Sequence, residues 1–247
     1  MSNQLLTEEN GYILVRLSES VIAMTDVLEK PTVEAVKAAG KTFDEKYRVF
    51  EDALKGLLEH YPNNIKTEDV LLKVITLNDL YSTHIPLYGN RIPTVWDVVD
   101  HIVKRRIDSD LDSGSTDLVY DIAKTEIQNK VHFNYSFATK YCSWHRQDLF
   151  PIYDSRVDEY LWYSQDHGWI DPFKREELKI YKRLKETITE FQDKCGLGEF
   201  NFKQIDKFLY FEGGKLLEAI EKKKHAAIMT ESSQSLSESN EDEKTKP

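Results

Sequence analysis

The chain has 247 residues, 33 Lys+Arg against 43 Asp+Glu for a net charge of −10, with 40% hydrophobic and 11% aromatic residues. That aromatic content excludes a wholly disordered chain, and 10 Gly with 7 Pro are too few for an all-β protein built on many tight turns. No window approaches the roughly 18 apolar residues of a membrane span, and the acidic balance weighs against non-specific nucleic-acid binding while leaving room for a local basic face.

Taken in order, the chain reads as helix after helix. Leu6, Ile13, Leu14, Leu17, Val21, Met24 and Leu28 recur at helical steps, and Pro31 ends this first segment. From Thr32 towards His60, Val36, Phe43, Tyr47, Phe50, Leu54, Leu57 and Leu58 form an apolar stripe interrupted at Gly40. Tyr61-Pro62-Asn63-Asn64 is a turn. Val70, Leu71, Val74, Ile75, Leu77 and Leu80 define a third helix, and the proline-bounded stretch 85–93 is a loop. Thr94 then caps a helix carrying Trp96, Val99, Ile102 and Val103. Polar residues 109–115 read as a second loop. Further helices are expected at about 116–128, 134–146, 155–166, 174–194, 202–210 and 214–225.

From Thr230 to Pro247 the only large apolar residue is Leu236, with five acids against two lysines, so a disordered acidic tail is expected. The expectation is one all-α body of about ten helices over 1–229, in one or two lobes, plus that tail. MSNQLLTEENGYILV has no basic region leading into an apolar stretch, so no signal peptide is read. Two cysteines, Cys142 and Cys195, make neither a disulfide framework nor a zinc site, and a reduced cytoplasmic compartment is the default. The seven histidines are scattered, and no phosphate-cradling or dinucleotide fingerprint occurs, so no cofactor or metal is implied.

Three stretches carry more than packing information. In the first, polar Asn78 sits on an apolar helical face and Ser82-Thr83-His84 follows at the helix end, either an ordinary terminus or a polar tip aimed at a ligand. In the second, Phe137, Tyr141 and Trp144 share a helical face with Ala138, Cys142 and His145 beside them, and Lys140 stands alone among uncharged residues. Lys140 is read either as a lysine snorkelling from the helix or as an amine desolvated among the aromatics. The third is Phe150-Pro151-Ile152-Tyr153-Asp154-Ser155-Arg156-Val157, where Asp154 or Ser155 begins a helix and Ser155 with Asp158 is a capping-box-like pair. Asp154 is either a plain N-cap or a carboxylate presented for catalysis. Cys142 and His145 lie one turn apart, but no third group orients them, so a buried cysteine is expected.

The ordered set Leu-Asn-x-Leu-Tyr-Ser-Thr-x-Ile, Phe-Ala-Thr-Lys-Tyr-Cys-Ser-Trp-His and Pro-Ile-Tyr-Asp-Ser-Arg-Val resembles a divergent branch of the helix-hairpin-helix DNA glycosylase superfamily, with an 8-oxoguanine-glycosylase-like fold. The resemblance covers 68–161. It implies that Asp154 is the essential aspartate at the start of the helix after the hairpin, and that Lys140 matches the nucleophilic lysine of bifunctional members. It implies that Ser82, Thr83 and His84 correspond to the intercalating tip. Lys140 precedes Asp154 by only fourteen residues, and TEIQNKVHF, where the family has a glycine-containing hairpin, has no glycine.

The chemistry implied is base excision from DNA: a nucleotide is flipped between aromatic or apolar side chains while a carboxylate stabilises positive charge on the sugar. Lys130, Arg146 and Arg156 are the candidate phosphate contacts, within a block from Lys124 to Arg156 that is locally basic, and Lys104-Arg105-Arg106 is a second basic run. The rival expectation is a non-catalytic helical scaffold, of the kind used in bacterial defence or by a mobile element.

Overall fold

The computed structural model describes residues 28–89, 92–127 and 130–242. The first helical segment expected from the sequence lies, but for Leu28, outside the described residues. Helix α1 is Val33–His60, α2 Thr67–Leu80, α3 Val95–Arg105, α4 Asp108–Ser113 and α5 Thr116–Ala123. A hairpin of β1 (Lys124–Ile127) and β2 (Lys130–Phe133) follows, then α6 (Tyr135–His145) and α7 (Ser155–Asp166). A 3-10 turn at Arg175–Lys179 leads into α8 (Tyr181–Lys194), and α9 (Phe202–Asp242) is the last helix. Nine α-helices among the described residues, with one two-stranded sheet, make the fold all-α. None of these helices is long and apolar enough to cross a membrane.

Local chemistry places several of the ends. Thr32 Oγ1 accepts from the Ala35 amide at 3.1 Å and opens α1, which runs unbroken through Gly40. Thr94 opens α3 with a reciprocal capping box: its hydroxyl accepts from the Asp97 amide while the Asp97 carboxylate accepts from Thr94 N–H at 2.8 Å.

Four stretches differ from the sequence expectation. The polar stretch 109–115 holds the short helix α4, because buried Leu111 ties it to the core and Gly114, at φ 70°, closes it. The helix expected at 116–128 stops at Ala123, and the next residues pair antiparallel, with Thr125 opposite His132 and Glu126 opposite Val131. The segment 174–194 divides at Ile180. Segments 202–210 and 214–225 are one helix, α9, whose backbone continues to Asp242 and so enters the polar stretch that begins at Thr230.

One apolar core joins these elements. Val74, Leu77, Val98, Ile102, Ile122, Phe137, Tyr141, Phe150, Tyr160, Leu184, Phe191 and Phe208 are all nearly sealed from solvent within it. α9 crosses both α7 and α1, and α6 lies against α5, α2 and α1.

Candidate functional site

The candidate site starts with the loop between α6 and α7. Thr139 holds it from α6: its Oγ1 accepts from the Tyr153 amide at 3.1 Å and lies 3.4 Å from the Tyr153 carbonyl oxygen. From α8, Tyr181 OH donates to the Pro151 carbonyl at 3.0 Å, while Phe150 and Ile152 are buried. Because Thr139 precedes Lys140 and Tyr153 precedes Asp154, this clasp sets the amine and the carboxylate side by side.

Asp154 is the N-cap of α7. Its Oδ1 accepts from the amides of Arg156 at 3.0 Å and Val157 at 3.1 Å. Its Oδ2 lies 3.7 Å from Lys140 Nζ. The capping-box pairing of Ser155 with Asp158 does not form; Asp158 instead accepts from Tyr153 OH at 2.7 Å and pairs with Arg175. Helix start and ion pair thus converge on one carboxylate, which is a quarter exposed.

Lys140 is buried, with a side chain only 4% exposed. Its Nζ donates to Ser136 Oγ at 2.6 Å and lies 5.4 Å from the centre of the Tyr81 ring. Burial pushes the amine below the ordinary lysine range, more strongly than the nearby Asp154 and Asp206 carboxylates pull it back up. A snorkelling lysine would reach water; this one does not. Tyr81 OH accepts from Trp144 Nε1 at 2.8 Å, so the ring beneath the amine is fixed from α6. A cleft of about 580 Å³ opens at Asp154, lined by Ser136, Tyr153, Asp158, Glu159, Arg175 and others.

The polar tip follows Tyr81 directly. Ser82 and His84 take left-handed backbone (φ 47° and 58°), and both are exposed. Asn78 shapes the turn: its Oδ1 accepts from Thr83 Oγ1 at 2.7 Å and from the Ile85 amide at 2.8 Å, and its Nδ2 donates to the Ile85 carbonyl. That accounts for a polar residue on an apolar face. The tip is tethered to the Lys140 environment through Tyr81, but Ser82, Thr83 and His84 do not line the cleft at Asp154.

The basic candidates do not gather there either. Arg146 pairs with Asp112 and Asp148 and lines a second cleft of about 740 Å³, between α1, α6 and α9. The Arg156 guanidinium lies 3.9 Å from the centre of the Tyr210 ring on α9. Lys130 is exposed on the hairpin. In the second basic run, Lys104 pairs with Asp100, and Arg105 with Asp110 and Asp121.

Cys142 is fully buried and burial pushes its thiol up, which disfavours a thiolate there. His145 is committed elsewhere. Its Nδ1 lies 2.8 Å from the Tyr141 carbonyl, which fixes the proton there, so Nε2 accepts from Lys73 Nζ at 3.3 Å. Lys73 also donates to Asn64 Oδ1 at 2.6 Å and to the Tyr61 and Asn63 carbonyls. Among the described residues no carboxylate pairs directly with Lys73, and burial pushes its amine down to about 8, opposed by more distant Asp108 and Asp69. This cage bolts the turn after α1 to α6.

Sequence reasoning singled out Lys140 and Asp154 but not Thr139, Tyr81 or Asp206, which surround them. Thr139 and Tyr81 stand within the singled-out stretches, where a hydroxyl beside a lone lysine was the available signal. Asp206 gave none, since its position depends on how α9 folds back.

Comparison with known proteins gives a family without an activity. No solved structure matches the chain. An uncharacterized protein of Haemophilus influenzae is 36% identical over 150 residues, covering 60% of this chain and 68% of the relative. A family model described as the HI_0787_N N-terminal domain matches residues 30–149, a span that includes Tyr81, Ser136 and Lys140 and ends before Asp154. On this match and that relative, the chain belongs to the HI_0787_N family.

Proposed function

We propose that this protein binds DNA and excises a base, with Lys140 and Asp154 as catalytic residues. One observation carries the reading: a buried amine with a lowered pKa lies 3.7 Å from a carboxylate that caps a helix N-terminus and lines an open cleft, which Lys140 itself does not line. The ordered resemblance to glycosylase motifs points to the same two residues. As the bond from sugar C1′ to the base nitrogen breaks, the base leaves with the electron pair and takes a proton from water. Asp154 stabilises the positive charge left on the sugar. The free amine of Lys140 then forms the new bond at C1′ and loses its extra proton to water.

The test is excision across a panel of damaged duplexes, with borohydride trapping of any imine at Lys140. Wild type should cleave at least one lesion and Asp154→Asn none, while Lys140→Met should lose the trapped adduct. A wild type inert on every lesion, or an Asp154→Asn variant of full activity, overturns the reading.

A second reading, a non-catalytic helical interaction protein, is favoured by a different observation. Arg105 and Arg146 are engaged by the protein's own carboxylates, and the cleft at Asp154 also carries Asp158, Glu159 and Glu176 against Arg175 and Lys179. Phosphates gain little from cations already paired. Duplex affinity that is absent at low salt, or indifferent to replacing both Arg146 and Arg156 with Ala, selects this reading.

A further inference from the structure

The Lys140–Asp154 pair is part of a larger buried charge cluster that the reaction above leaves unused. From α9, Lys203 Nζ lies 2.8 Å from Glu51 Oε1, 3.9 Å from Asp206 Oδ2 and 4.6 Å from the centre of the Trp144 ring. Trp144 stands one turn beyond Lys140 on α6 and holds Tyr81 beneath the Lys140 amine. Lys207 adds a further cation, 2.7 Å from Glu51 Oε2.

The three carboxylates of this cluster are held unequally. Asp154 accepts from two backbone amides, and Glu51 is gripped by Lys203 and Lys207. Asp206 lies 3.9 Å from Lys203, too long for a hydrogen bond. Burial accordingly lifts it to about 6 despite Lys203, with Asp154 and Glu51 pushing the same way.

We propose that Asp206 is a positioning residue for Lys140: its charge, set across the Lys203–Trp144–Tyr81 packing, decides whether Lys140 is held as an ammonium or released as an amine. The inference rests on the reading of Lys140 as the nucleophile. Lys140 is faced by Ser136 on its own helix, Tyr81 at the end of α2 and Asp154 at the start of α7, while Arg156 on α7 and Asp206 on α9 act on its charge from beyond contact distance. Lys203 and Glu51 in turn face Asp206. The two titrations are linked: when Asp206 takes a proton from water, the ammonium loses an anionic neighbour and sheds its own proton more readily.

The experiment is a pH titration of the lysine 13Cε resonances in the full-length protein, with Lys140 assigned by its loss in Lys140→Met. The Asp206→Asn variant should bring the Lys140 midpoint down by about one pH unit, a tenfold gain in free amine at fixed pH. Asp206→Glu should return it towards wild type, and Glu218→Gln, an exposed carboxylate change on the same helix, should leave it in place. A midpoint unchanged or raised in Asp206→Asn overturns the proposal, as does a Lys140 that titrates like the exposed lysines. Should Asp206→Asn fail to fold, the wild-type Lys140 curve decides: it must show a second inflection where the Asp206 13Cγ resonance titrates, and its absence overturns the coupling. Excision is measured on the same proteins. A wild type that excises nothing sinks the base-excision reading, while the Asp206–Lys140 coupling stands or falls on the resonances.

Discussion

Asp154 divides its two oxygens between the helix start and Lys140, and this makes the two contacts separable. Oδ1 takes the two amides at the start of α7, and Oδ2 faces Lys140. Asparagine caps about as well as aspartate, so Asp154→Asn should melt near wild type while losing excision; Asp154→Ala should also cost roughly 0.5–2 kcal/mol in thermal unfolding. Thr139 tests the clasp that aligns the pair. Thr139→Val keeps the shape but strips the Tyr153 amide of its acceptor, which should cost about 1–3 kcal/mol. The same change should reduce kcat with little effect on duplex affinity, because it touches alignment alone. That Asp154 caps a helix was legible, since capping is local chemistry written in neighbouring residues. That its second oxygen meets Lys140 was not, because the approach depends on a hydroxyl and on Tyr181 from a later helix.

Among elements, α7 and α9 approach closely at Gly213. A Cβ on Gly213 would stand 2.5 Å from the Arg156 carbonyl oxygen, whereas one on Gly214 would meet only the Arg156 Nε at 3.6 Å. Gly213→Ala should therefore push the helices apart and destabilise by about 1–3 kcal/mol, displacing Arg156 from the Tyr210 ring. Gly214→Ala should be neutral or stabilising by up to about 1 kcal/mol, from helix propensity alone. Thermal melts of the two variants read the contrast. The Gly213-Gly214 pair also explains why α9 was expected as two helices: in sequence the glycines look like a break, but their use is close approach. The hairpin was hidden for the opposite reason. Leu118, Val119, Ile122 and Ala123 carry a helical rhythm forward, and no glycine marks a turn before Lys130, so strand pairing had no local signal.

For the molecule as a whole, the helical class followed from periodicity and scarce turn residues, and the buried charges now give it a characteristic acid response. His145 is pushed down to about 4 by burial and Lys73, so between pH 4 and about 6.5 the unfolded chain binds more protons there and stability rises with pH. Asp206 is raised to about 6, so between its unfolded value near 4 and pH 6 the folded protein binds the extra proton and stability falls with pH. These slopes oppose one another from about pH 4 to 6 and flatten the wild-type curve. Asp206→Asn removes the falling limb, so its stability relative to wild type should climb with pH across this window, by at most about 1.4 kcal/mol per pH unit. Urea unfolding at several pH values measures it; a difference between the two proteins that is constant with pH argues against a buried, raised Asp206.

The return of α9 to the amine also gives the site a history within the making of each chain. Lys140 is synthesised 66 residues before Asp206. At about 5–20 residues per second, that is an interval of several seconds. During it, Lys203 and Asp206 have yet to reach the face of α6 on which Trp144 lies, so the nascent chain carries Lys140 without these charges nearby. A chain released after α7 but before α9 would have Lys140 and Asp154 and lack Asp206. The charge arrangement around the amine is thus completed only with the last helix.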